Sequence, residues 1–275
     1  WVHDYAKILK RGFNGIKKEA QEKLAALDPL SAKDTCEKKP FLDAVVIVCD
    51  AIVLWAKRYA QAAREKAAVT TDPQRKAELL RMAQNAEHVP GEPARDFWEA
   101  CQSQWFTQMF SRLEQKTGTT ISNGRMISTS ILTTRLMLKP ASSMTPRPWN
   151  CSSACGSAWP NSSTCTFPPS AALQRRYAHW EAVTVGGQTP DGRDATNELT
   201  HLILKSKREF PLHYPDLAAR VHAGAPESYL WDVAETIKFG TGFPKIINDE
   251  EVVPLYVSKG ATFAEALDYA VSGCT

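Results

Sequence analysis

Over residues 194–275 two hydrophobic periods alternate, and a chain that does this has few ways to fold. DATNELTHLILKSKREF (194–210) spaces its apolar residues as a helix does, and LAARVHAG (217–224) reads as a strand. ESYLWDVAETIKFG (227–240) is a second helix closed by Gly240, and FPKIIND (243–249) a second strand. EEVVPLYVSKG (250–260) is a short helix, and Thr262 with Glu265 forms a capping box for TFAEALDYA. Strands separated by helices pair in parallel, which predicts an α/β architecture. The acids of Asn248-Asp249-Glu250-Glu251 sit at a helix start and are read as complements to its dipole. Asp191, Asp194, Asn197 and Glu198 are read as loop and helix-start residues with structural duties.

The first third has only the helical period. Residues 4–26 are amphipathic; residues 41–68 are predicted helical, with a first half apolar nearly all round and therefore expected to be buried. Asp72-Pro73 caps and opens a third helix. PARDFWEACQSQWFTQMFSRLE opens at Pro93 and carries Phe97, Cys101, Trp105 and Met109 on one stripe, expected in the core. TGTTISNGR (117–125) suits a strand running into a turn.

Between about 127 and 176 acids vanish, while Ser, Thr, Pro, Cys and Arg crowd in and periodicity is lost. A disordered linker fits the Ser and Pro but not Trp149, Trp159 and Phe167. A zinc site on Cys151, Cys155 and Cys165 lacks a paired CxxC and a histidine before His179. A third reading is translation out of frame. WNCSSACGSAWPNSSTCTFP can be re-read one base along as MELFECMWVGMAEFIDMYIS, and ISTSILTTRLMLK as DQYIYPYYKADAE, acid-bearing segments like the flanks.

Several bulk features exclude partners. The net charge is +3, with basic residues spread rather than massed, so a nucleic-acid partner is not expected. The longest apolar run, AVVIVCDAIVLWA (44–56), carries Asp50 and is too short to span a bilayer, so no membrane partner is expected. Seven cysteines suit no disulfide framework, and a reducing cytoplasm is the expected location. The chain starts at Trp1 and stops one residue past Cys274 on a glycine turn, and both ends read as those of a fragment.

Five blocks then fall in order: PARDFWEACQSQWFTQMFSRLE, TISNGRM with the recovered DQYIYPYY, VGGQTPDGRDATNELTHLIL, GFPKIINDEEVVPLYVSKG and DYAVSGC. Together they resemble the glycyl radical enzymes, the pyruvate formate-lyase-like family. The resemblance implies one partial domain over 1–275: a helical region at 1–116, barrel parts at 117–126 and 177–275, and the suspect segment between. It implies a barrel of parallel strands surrounded by helices, with the C-terminal glycyl radical domain absent. Cys274 matches the catalytic loop cysteine, whose thiyl radical removes a hydrogen atom from a small organic substrate. An S–H bond is weak enough for a carbon radical to open, and the resulting thiyl must be kept from water inside a closed cavity.

The resemblance also makes Ser122 a substrate-contacting hydroxyl, and His179 and Trp180 pocket-wall residues. The alternatives are a turn serine bonding its own backbone and simple packing of Trp180. The implied cofactor is a glycyl radical on the missing part, installed by an activating enzyme that uses S-adenosylmethionine and an iron–sulfur cluster. No bound metal is expected in this chain. The full-length protein is expected to be a homodimer. Gly273 before Cys274 disfavours pyruvate formate-lyase itself, which uses two adjacent cysteines. The Ser-Gly-Cys-Thr ending and HWEAVTVGG look most like arylacetate decarboxylases, with diol dehydratases and choline trimethylamine-lyase next. The competing expectation, from another class, is an inactive truncated or frame-damaged product.

Overall fold

The computed structural model describes residues 2–115, 121–125, 182–211 and 215–272. It divides into two compact units, Asp4–Phe110 and residues 1–3 with 111–275.

In the unit Asp4–Phe110, α1 (Tyr5–Ala25) starts where the Asp4 carboxylate accepts the Lys7 N–H. Its regular backbone breaks at Gly12, which has φ +64°; a Cβ there would lie 2.2 Å from the Gly91 carbonyl oxygen. The adjacent amides of Phe13 and Asn14 donate to the Pro90 and Gly91 carbonyls, so glycine lets two backbones meet. A π-helical turn (Asp34–Lys38) leads into α2 (Lys39–Val69), and α3 (Pro73–His88) is capped by Asp72, whose side chain accepts the Gln74 N–H. Ala56 and Ala60 of α2 cluster with Ala83 and Ala86 of α3 and with Phe106, small side chains that let helices approach closely.

Two expectations are corrected in this unit. The first half of α2 is not buried all round: Phe41 is 68% exposed, Ile47 67% and Leu54 54%. The buried residues Cys49, Ile52, Ala56, Ala60 and Ala67 form one narrow stripe, and Ala56 and Ala60 of that stripe pack against Ala83 and Ala86 of α3 and against Phe106. The helix expected from Pro93 instead begins at Phe97 (α4, Phe97–Gln115). Asp96 sets that start by accepting the Glu99 N–H at 2.8 Å, while the buried Glu99 carboxylate reaches back to the Arg95 N–H. The stripe of Phe97, Cys101, Trp105 and Met109 is half-buried, and the buried positions are Glu99, Ala100, Ser103, Phe106, Thr107 and Gln108.

The other unit is built on a parallel sheet, β1 (Ala182–Gly186), β2 (Asp216–Val221) and β3 (Lys245–Asn248), in the order β1-β2-β3. The register pairs Thr184 with Ala218 and Arg220 with Ile247. α5 (Glu198–Glu209) crosses from β1 to β2 and α6 (Glu227–Ile237) from β2 to β3. α7 (Asp249–Ser258) and α8 (Phe263–Leu267) follow, the last with its Thr262–Glu265 capping box in place. Strand alternation divides the core. Val183, Val185, Leu217 and Ala219 pack with Leu204, Tyr229 and Val233. Ala182 and Ala218 pack with Val253, Leu267, Tyr269 and Val271. Residues 121–125 lie alongside β1: the Asn123 N–H donates to Ala182 and the Thr184 N–H to Gly124. The expected strand at 117–125 is thus two isolated parallel bridges, Ser122 to Val2 and Gly124 to Val183, and 117–120 lie outside the described residues.

At the other end of β2, the Lys207 ammonium donates to the Pro215 carbonyl at 3.0 Å, and burial holds its pKa down to about 8 from 10.5. Between those two values the unfolded chain binds a proton that the folded chain releases, so stability rises with pH across that window. Lys207→Met removes this dependence. Thermal denaturation between about pH 7.5 and 10 is expected to show the wild type gaining on the variant as pH rises; parallel curves would contradict it.

Candidate functional site

In parallel α/β sheets, functional groups gather beyond the carboxyl ends of the strands. Here that edge holds a buried ionic cluster. Arg220, at the end of β2, is 0% exposed and Asp249, at the start of α7, is 2% exposed. They form a two-pronged pair, Nε to Oδ1 and Nη2 to Oδ2, each at 2.8 Å. The Tyr269 hydroxyl donates to Asp249 Oδ1 at 2.6 Å, and its ring lies 3.8 Å from the guanidinium carbon. Burial, and then the bond to Asp249, push that hydroxyl pKa up and keep it protonated as a donor.

Glycine makes room for this cluster. Gly187 has φ +78°, and a Cβ there would stand 2.5 Å from Arg220 Nε. Beside it the Tyr229 hydroxyl reaches the Val185 and Arg220 carbonyls, and burial raises its pKa also.

The remaining donors of the cluster point at the backbone that leads to Cys274. Arg220 Nη1 donates to the Tyr269 carbonyl and Nη2 to the Leu267 carbonyl, both at 2.9 Å. Arg125 Nη1 donates to the same Leu267 carbonyl at 3.1 Å and to Asp268 at 2.8 Å. Burial, reinforced by the neighbouring Arg220, brings the Arg125 pKa down to about 10, so it remains a cation at neutral pH. The Val271 N–H donates to Thr184 Oγ1 at 3.0 Å. The chain is therefore held by side chains of β1, β2 and the 121–125 segment until three residues before Cys274.

Cys274, His179 and Trp180 lie outside the described residues, as do Cys151, Cys155 and Cys165. Ser122 is fully buried, and its hydroxyl accepts the Ala182 N–H at 3.0 Å, tying residues 121–125 to the start of β1 two positions after Trp180. Its partner is thus a strand sixty residues away, not its own turn. Asp249 corrects the sequence reading: it is more than a complement to a helix dipole, because it faces inward onto Arg220. No motif announces that pair; the available signal was a lone arginine in the otherwise apolar strand segment LAARV. Asp194 and Asn197 have the expected structural roles, Asp194 bonding Thr196 and His222, and Asn197 capping α5. Among the described residues no group of three or more His, Cys, Asp or Glu could hold a metal ion, and no helix is long and apolar enough to cross a membrane.

A family profile described as pyruvate formate lyase-like matches residues 1–129 and 158–275. The chain belongs to this family, the glycyl radical enzymes. It is 72% identical, over its whole length, to the isethionate sulfite-lyase of Desulfovibrio desulfuricans. Its fold matches a structure solved for 1,2-propanediol dehydration in Roseburia inulinivorans, with TM-score 0.89, 32% identity and 98% of this chain covered, against 34% of that one. A glycyl radical enzyme from Archaeoglobus fulgidus gives TM-score 0.83 at 29% identity, covering 98% of this chain and 35% of that one. The sheet and helices described above are thus part of the family's barrel. The chain spans about a third of the length of the curated relatives it matches. The family match leaves out 130–157, which falls inside the compositionally aberrant stretch.

The comparison corrects the expected reaction. The indoleacetate decarboxylase of Tractidigestivibacter scatoligenes is 27% identical, far below the sulfite-lyase. The Ser-Gly-Cys-Thr ending and the HWEAVTVGG block, which suggested a decarboxylase, stand in a chain far more similar to the sulfite-lyase than to that decarboxylase.

Proposed function

We propose that this chain is part of a glycyl radical lyase that removes sulfite from isethionate, a two-carbon hydroxysulfonate. The observation that carries this reading is 72% identity to an isethionate sulfite-lyase in an alignment that covers the whole chain. The likeness to a propanediol-dehydrating structure supports the same class of chemistry, loss of a group next to a hydroxyl-bearing carbon.

In this reading Cys274 takes a hydrogen atom from the hydroxyl-bearing carbon: a C–H bond breaks and an S–H bond forms. The C–S bond then breaks with both electrons leaving on sulfite, and the hydroxyl releases its proton as the carbonyl forms. Cys274 returns the hydrogen atom to the carbon that lost sulfite. The atoms balance as isethionate giving acetaldehyde and hydrogen sulfite. The family's glycyl radical supplies the unpaired electron, and a radical S-adenosylmethionine enzyme installs it. None of the described residues carries that radical, and what they do is position: the Arg220–Asp249 pair and Thr184 fix the approach to Cys274. His179 and Trp180 form a pocket wall, and Ser122 holds the strand that follows them. A homodimer in the cytoplasm completes the proposal.

The test is anaerobic activation of the full-length protein, followed by assay against isethionate, a 1,2-diol and an arylacetate. Sulfite and acetaldehyde formed one to one from isethionate are expected. Turnover of the diol alone would replace the sulfite-lyase reading with a dehydratase.

A further inference from the structure

The segment Asp268–Ser272 belongs to no helix or strand, yet its backbone is held at regular intervals. The groups that are held are the carbonyl of Leu267, the last residue of α8, then the Tyr269 carbonyl and the Val271 N–H; the last two are two residues apart, the spacing at which an extended chain presents one edge. A strand would meet a neighbour's backbone along that edge. Here it meets side chains: the Arg220 fork on the first two groups and Thr184 Oγ1 on the third. Thr184 is 0% exposed and is itself fixed, since its N–H donates to the carbonyl of Gly124, which lies alongside β1.

We propose that Thr184 is a positioning residue for Cys274: its hydroxyl oxygen accepts the Val271 N–H and is, among the described residues, the last side-chain anchor on the chain before the thiol. The proposal rests on the reading of Cys274 as the hydrogen-abstracting residue. Hydrogen-atom transfer needs near contact between the reacting atoms, so a small shift of this chain lengthens the one distance that controls the rate. In the proposed reading the radical is installed on another part of the full-length protein, so radical content is read separately from turnover.

The experiment compares Thr184→Val and Thr184→Ser in the full-length protein, activated anaerobically. Valine keeps the shape and the strand preference but offers no acceptor; serine keeps the oxygen. For Thr184→Val, kcat is expected to fall about tenfold, with KM within about twofold. Radical content per chain by electron paramagnetic resonance should match the wild type. Thr184→Ser is expected to turn over within about twofold of the wild type. Amide exchange at Val271, followed by mass spectrometry, is expected to accelerate about tenfold in the valine variant only. A valine variant with wild-type kcat, or a serine variant that loses as much as valine, would overturn the proposal. Unchanged exchange at Val271 would overturn it as well, and that readout needs no substrate. A wild-type protein silent toward isethionate but with the expected exchange pattern would count against the proposed substrate while leaving the anchor standing.

Discussion

Cys274→Ser in the full-length protein is expected to reduce sulfite release to background while the glycyl radical signal stays at wild-type intensity. The substitution changes one atom and little volume, so folding is not at issue. It replaces an S–H bond that a carbon radical can open with an O–H bond too strong for the same exchange. Metal binding and thiolate nucleophilicity are both set by the thiol pKa, whereas hydrogen-atom transfer is set by bond strength. Retained radical with lost turnover separates a defect in relaying the electron from one in generating it. Serine-variant activity above a few per cent of wild type would remove Cys274 from the chemistry.

The second large effect concerns stability. Asp249→Asn leaves the Arg220 guanidinium, with 0% exposure, facing a neutral amide. Removing one partner of a buried ion pair costs about 3–5 kcal/mol, because the remaining charge stays desolvated. Tyr269 also loses the charged acceptor of its hydroxyl. Urea denaturation of the full-length protein is therefore expected to show a substantially lowered midpoint for this variant. The double variant Arg220→Met, Asp249→Leu removes both charges and is expected to regain most of that loss. It also lacks the carbonyl contacts to Leu267 and Tyr269, so its turnover should stay low while its stability recovers. A double variant less stable than Asp249→Asn would show that the cluster is not held together as a desolvated pair.

These effects differ in how far the sequence could foretell them. The alternation after Asp194 translated directly into β2, α6, β3 and α7, and the Thr262–Glu265 and Asp72-Pro73 signals marked helix starts that the structure contains. Local chemistry dictates such features, so they can be read locally. β1 escaped notice because AVTVG is only five residues long and buried on both faces, and so shows no alternation. The Arg220–Asp249 pair escaped because its partners are 29 positions apart and an acid at a helix start has an ordinary local explanation. The apolar first half of α2 misled for a related reason: composition reports what a helix is able to bury, while only its neighbours decide what it does bury. Cys274, Trp180 and His179 were legible only as parts of the family's ordered blocks, and their roles rest on the proposal.

The most direct measurement follows a hydrogen atom. Isethionate carrying deuterium on its hydroxyl-bearing carbon is mixed with the activated full-length protein, and the acetaldehyde is analysed by mass spectrometry and proton resonance. If Cys274 takes that atom and gives it back, turnover slows and deuterium appears in the methyl group of the product. Unslowed turnover with a methyl group containing only solvent hydrogen would contradict the account.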